Sequence, residues 1–91
     1  MPLQQGEILG YDFNRMVVEF TMVDQGKIVP CAISTAALDD LEKSTSVKAE
    51  ERVNQFVRLR AAIEERAERK FSAGFIESGG RLVLRSGDFQ H

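Results

Sequence analysis

The chain contains no tryptophan, a single cysteine, two prolines and one histidine, and that histidine is its last residue. Alone, Cys31 cannot form an internal disulfide, and without a Cys/His cluster nothing can hold a structural zinc. Long apolar runs are missing as well, since no stretch approaches the roughly 20 residues of a membrane-spanning helix. Residues 1–10 have neither the basic start nor the apolar block of a secretory signal. A reducing cytosol is therefore the expected compartment, with no membrane partner and no cofactor. Seven glycines and two prolines in 91 residues are too few for a collagen-like or linker-like chain.

What is present suits a small globule. Hydrophobic residues make up 43% and charged residues 29%, which excludes a wholly disordered chain. The net charge of −2 argues against a strong general attraction to phosphate. That average hides an asymmetry: residues 1–45 carry a net −4 and residues 46–91 a net +2. A chain of this length leaves room for one domain, 1–91, with 1–10 expected to be loosely ordered.

From Arg15 to Met22 the apolar residues Met16, Val18, Phe20 and Met22 recur at period two, as in a strand. Val23-Asp24-Gln25-Gly26 supplies turn chemistry, and Val29, Cys31 and Ile33 then share one face of a second strand, completing a hairpin. Pro30 has no N–H for a ladder, so its strand is expected at a sheet edge, or paired only on the other side at that point. Ser34 is a helix N-cap for a short helix from Thr35 to Lys43, with Ala37, Leu38 and Leu41 inward and Asp39, Asp40 and Glu42 outward. Ser44-Thr45-Ser46 breaks that helix and offers a second N-cap.

The spacing predicts a long helix from Val47 to Ser72, stopped by Ala73-Gly74. Ala49, Val53, Phe56, Val57, Ile63, Ala67 and Phe71 form its buried stripe. Its 26 residues would span about 39 Å, longer than the about 30 Å expected for a globule of this size. Such a helix would project or pack on a second copy, which is the argument for a homodimer. After it, Phe75-Ile76-Glu77, the turn Ser78-Gly79-Gly80 and Arg81–Arg85 read as a second hairpin, with Leu82 and Leu84 inward. The expected fold is α+β in the order ββααββ, an antiparallel sheet of two hairpins against one short and one long helix.

The run Phe20–Leu38, with Gly26-Lys27-Ile28, Cys31-Ala32-Ile33-Ser34 and Ala37-Leu38, resembles a small bacterial family known as domain of unknown function 1488. Arg60-x-x-Ile63-Glu64-x-x-Ala67 is similar to a second stretch of that family, and the likeness extends over roughly Tyr11 to Phe89. The resemblance implies an α+β fold and carries over no catalytic residue, cofactor or substrate.

Two features of the long helix are candidate sites. Arg60 and Glu64 lie four residues apart on its apolar stripe, where charges need partners. They are expected to pair with each other and with backbone groups or Ser34. The other readings are an anion meeting Arg60 and a contact across a dimer. The opposite arc collects Lys48, Arg52, Arg58, Arg66, Arg69 and Lys70, either a solvated face with local pairs such as Glu65 to Arg69 or a basic interaction surface. Leu59 and Ala62 interrupt that arc with a small apolar notch, read as scatter or as part of a subunit contact.

Catalytic constellations are lacking. Cys31 shares a strand face with Val29 and Ile33 and reads as a buried thiol with no base beside it. Adjacent carboxylates such as Asp39-Asp40 or Glu64-Glu65 diverge on a helix and do not suit concerted acid–base work. The reading is of a non-enzymatic bacterial accessory or regulatory domain of the cytosol that binds protein, with a homodimer through the long helix as one form. The alternative is a weak nucleic-acid binder using the basic arc. An enzyme would need a pocket gathering Cys31, Arg60 and Glu64.

Overall fold

The computed structural model describes residues 3–43, 47–77 and 79–89. Strand β1 (Gln4–Asp12) pairs antiparallel with β2 (Val17–Asp24), and β2 with β3 (Lys27–Ser34). Helix α1 (Thr35–Glu42), a 3-10 turn at Ala49–Glu51 and helix α2 (Arg52–Ser72) follow. The chain then returns as β4 (Leu82–Leu84), which lies parallel to β3, and ends in a 3-10 turn at Ser86–Phe89. The α+β class holds, but the sheet is mixed and runs β1-β2-β3-β4.

The β2–β3 hairpin follows the alternation in the sequence. Val18, Phe20, Met22, Val29, Cys31 and Ile33 all point into one core against the helices. The start of the chain departs from expectation, because residues 4–10 belong to the edge strand β1 rather than to a loose segment. Two register breaks, between Gln5 and Ile8 and between Ile8 and Gly10, explain why period two is invisible there. Gly6 lies at the first break, where an added Cβ would stand 2.4 Å from the backbone oxygen of Thr21.

The expected second hairpin does not form. Glu77 N–H donates to the Arg81 carbonyl and Gly80 N–H to the Glu77 carbonyl, so the turn is real, but residues 75–77 are not a strand. β4 pairs instead with β3, through Cys31–Leu82, Ala32–Val83 and Ile33–Leu84. A parallel pair needs a long crossover, and the two helices provide it. Consequently β3 is an inner strand and not an edge, and the second form of the Pro30 expectation, pairing on one side only at that point, is the one observed. Pro30 is tolerated because β4 begins pairing only at Cys31, so at Pro30 itself only β2 is a neighbour.

Helix α1 starts as read, with Ser34 Oγ accepting from Ala37 N–H at 3.1 Å. The second expected N-cap, Ser44-Thr45-Ser46, lies outside the described residues. α2 stops as read: Gly74 takes φ 82°, its N–H reaches the Phe71 carbonyl and that of Phe75 the Lys70 carbonyl. The helix is shorter than expected, 21 residues or about 31 Å, inside a longest dimension of 37 Å. The length argument for a second copy on this helix therefore loses its premise.

Phe56, Ile63 and Ala67 of the expected stripe are buried and Phe71 packs on the core, but the first turns of α2 are rotated from it. Val57 is 52% exposed, whereas Leu59 packs on the core and Gln55 is fully buried. A polar clamp to α1 accounts for the rotation. Arg52 donates to Asp39 at 2.7 Å and to the Gln55 side-chain oxygen at 2.8 Å. Gln55 Nε2 in turn donates to Asp39 and Glu42, and Glu42 also accepts from Arg58 at 2.8 Å. Every polar atom of Gln55 is thus partnered, which permits its burial. Phe56 beside it stacks on Phe20 with ring centroids 4.8 Å apart.

α2 is tied to both edge strands. Near its middle Arg60 donates to the Gly6 carbonyl of β1 at 3.1 Å. In its last turn Lys70 donates to the Val83 carbonyl of β4 at 2.6 Å, and Asp88 accepts from Lys70 and from the Arg85 N–H. Lys70 and Asp88 supply β4 with the donor and acceptor that a further strand would otherwise provide. Burial pushes the Asp88 carboxyl up, but the Arg85 N–H and Lys70 outweigh it and hold it below its ordinary value.

Gly6→Ala should destabilise the fold by about 1–3 kcal/mol through this backbone collision. Gly87→Ala, where an added methyl meets nothing within 4 Å, should stay within about 0.5 kcal/mol of the parent. Urea unfolding of the two variants checks the contrast. Because the folded-state value of Asp88 is depressed, its contribution is complete above the ordinary Asp range and is lost as pH falls through the depressed value. The stability difference between the parent and Asp88→Asn should accordingly be full at neutral pH and close on acidification, as read by urea midpoints across a pH series.

Candidate functional site

Arg60 and Glu64 form the expected pair, at 2.8 Å, with side chains 23% and 17% exposed. Their further partners come from β1 and not from Ser34: Gly6 accepts from Arg60, and Gln5 Nε2 donates to Glu64 at 3.3 Å. The guanidinium also lies 5.9 Å from the Phe56 ring centre. The pair is thus a tie between α2 and an edge strand.

The six cations of the opposite arc do not form one surface. Arg52 and Arg58 turn to Asp39 and Glu42 of α1, and Lys70 to Asp88 and Val83. Arg69 makes the anticipated pair with Glu65, at 3.6 Å, and Arg66 lies over the Phe89 ring. Lys48 is exposed ahead of the 3-10 turn. Arg66, Arg69 and Lys70 do meet along a shallow groove of ≈ 290 Å³ beside Phe75 and Asp88. Leu59 is half-buried against the core and Ala62 is exposed, so the two do not make one exposed apolar notch.

The larger cleft, of ≈ 550 Å³, lies on the other side of the sheet and was not anticipated. Its floor is Val17, Ala32 and Val83, which alternate with the core residues of β2, β3 and β4 and so face away from the helices. Three arginines line it: Arg15 from the β1–β2 turn, and Arg81 and Arg85 from either end of β4. Ser34, Ala36, Ser86 and Gly87 complete the walls together with Glu77. Ala32 is only 1% exposed and Val83 is half-buried, and the charged groups stand around this apolar floor.

Each arginine has an acidic neighbour. Arg81 donates to Glu19 at 3.2 Å, and Arg85 is hydrogen-bonded to Glu77. That bond holds the Glu77 carboxyl below its ordinary value and raises Arg85 above its own. Arg15 stands 3.9 Å from Asp12 and is 62% exposed, the loosest of the three. A guanidinium has five N–H donors, and these neighbours engage only part of them. Arg85 and Glu77, 59% and 41% exposed, form a pair of the weak, solvent-screened kind that a ligand carboxylate can replace. The arrangement can therefore bind an organic anion whose apolar part rests on the floor.

One local signal for this cleft existed. Arg81, Val83 and Arg85 alternate with Leu82 and Leu84, so an Arg-Val-Arg row must occupy the face opposite the core. Their meeting with Arg15 and Ser34 depends on the β3–β4 pairing, which no local pattern encodes.

Cys31 lies beneath the helices, and burial pushes its thiol up to about 12. Its Sγ donates to the Val29 carbonyl at 3.4 Å. Neither cleft is lined by Cys31, Arg60 or Glu64. Among the described residues, no three His, Cys, Asp or Glu side chains gather as metal ligands, and no helix is long and apolar enough to cross a membrane. Iodoacetamide at neutral pH should leave Cys31 unlabelled in the folded protein and label it once urea unfolds the chain, as followed by intact mass.

Comparison with known proteins places this geometry in context. A family model described as "Protein of unknown function (DUF1488)" matches residues 6–84. No curated protein matches the chain. A crystal structure of a protein of unknown function from the DUF1488 family, from Shewanella loihica PV-4, aligns with a TM-score of 0.75 at 23% identity. The alignment covers 89% of this chain and 92% of that one, and at this identity it supports the fold alone. With the family model spanning β2, β3, both helices and β4, the chain belongs to the DUF1488 family.

Proposed function

We propose that this protein is a non-enzymatic accessory domain of the bacterial cytosol that acts by binding another protein. Its working surface is the open face of the sheet, where the cleft takes a carboxylate-bearing segment of the partner. One observation carries the reading: Arg15, Arg81 and Arg85 surround an apolar floor of Val17, Ala32 and Val83. Guanidinium groups over an apolar base give carboxylates charge-assisted hydrogen bonds and give the adjoining side chains a place to bury. A buried reduced thiol at Cys31 fits the cytosolic setting.

The basic arc of α2 offers less support for the nucleic-acid alternative, since Arg52, Arg58 and Lys70 are committed to acids of α1 and of the Ser86–Phe89 turn. Binding at the cleft is tested with the acetylated peptide Glu-Val-Glu-Ala-Glu bearing a free C-terminus. Added to the isotopically labelled protein, it should shift the backbone amide signals of Val17, Ala32 and Val83, and the shifts should weaken as salt rises. Absence of any shift at these residues at millimolar peptide overturns the reading.

A further inference from the structure

We infer that the segment the cleft recognises is a chain terminus, the free C-terminal carboxylate of a polypeptide ending in a small apolar residue, and that Glu77 is its built-in competitor. The inference rests on the binding role just proposed and specifies the ligand.

Size and layout point to a terminus. The cleft is ≈ 550 Å³, the scale of a small-molecule site and not of a groove for a long acidic segment. Its polar and apolar parts are close together: Ala32 and Val83 are paired neighbours on the floor, and Arg81 and Arg85 flank Val83 in sequence on the same strand face. A C-terminal residue carries its carboxylate and its side chain on the same carbon, so one residue can meet a guanidinium and rest on the floor together. An internal Asp or Glu holds its carboxylate at the end of a flexible side chain and brings two peptide groups over an apolar base that has no partners for them. Valine or alanine suits a floor built from Val17, Ala32 and Val83.

Glu77 is placed to compete. The backbone bonds between Glu77 and Arg81 and between Gly80 and Glu77 fix the turn that delivers it to the cleft wall. There its carboxylate occupies Arg85, the same kind of bond that a ligand carboxylate would make. Both partners are well exposed, so removing the acid releases the guanidinium without disturbing the core. Arg15, with its long contact to Asp12, is the second guanidinium open to the ligand.

Three measurements decide it, using the acetylated tripeptide Ala-Gly-Val as the free acid and as its C-terminal amide, followed by amide shifts at Val17, Ala32 and Val83. The acid should bind about tenfold or more tightly than the amide, the effect expected of one charge-assisted hydrogen bond. Glu77→Gln should tighten the acid severalfold and leave the amide unchanged, and Arg85→Gln should weaken the acid by about tenfold. Equal binding of acid and amide, or no tightening in Glu77→Gln, overturns the inference. If Glu-Val-Glu-Ala-Glu binds while the tripeptide acid does not, the terminus is wrong and the protein-binding role stands. If neither binds, both fall.

Discussion

Helix α2 crosses the sheet and is fastened at both edges by a cation that reaches a strand carbonyl, Arg60 to Gly6 on β1 and Lys70 to Val83 on β4. One turn before the first tie Phe56 stacks on Phe20, and between the ties Ile63 and Ala67 fill the remaining contact with the core. Each cation brings its own acid, Glu64 or Asp88, so neither charge is left unpaired where it is half buried. The apolar contact supplies the attraction, while the polar ties set where along the sheet the helix stops. They also occupy backbone groups of the two strands most open to wrong pairing.

That arrangement determines which charges remain for other work. The α1–α2 clamp uses Asp39, Glu42, Arg52 and Arg58, and the edge ties use Arg60 and Lys70. The three arginines of the cleft pair instead with Asp12, Glu19 and Glu77, of which Glu77 is the most exposed. Half of the cations on the helix face that looked like an interaction surface are internal bracing, and the cleft arginines stand on the sheet face turned away from α2.

Much of the local structure was legible in the residues. The β2–β3 hairpin, the Ser34 cap and the Gly74 stop each depend on neighbours within a few positions, where alternation, a hydroxyl or a left-handed glycine suffices. The same holds for Arg60 with Glu64, one helical turn apart. β1 was missed because its bulges erase period two, and the rotation of α2 because the partners that make Gln55 acceptable inside include two acids on another helix. The candidate cleft was legible only as an Arg-Val-Arg row on β4.

The order of amino acids was enough to set the α+β class, the central hairpin, the start of α1, the stop of α2 and the single buried thiol, because each follows from short-range stereochemistry and from which side chains avoid water. Tertiary structure alone decided that β4 would lie parallel to β3, that β3 would be an inner strand and that Arg15, Arg81 and Arg85 would meet. The physical reason is that a short strand such as Leu82-Val83-Leu84 can pair with any open edge its hydrophobic face allows. Its partner is selected by where the two-helix crossover, packed and tied across the sheet, delivers the chain.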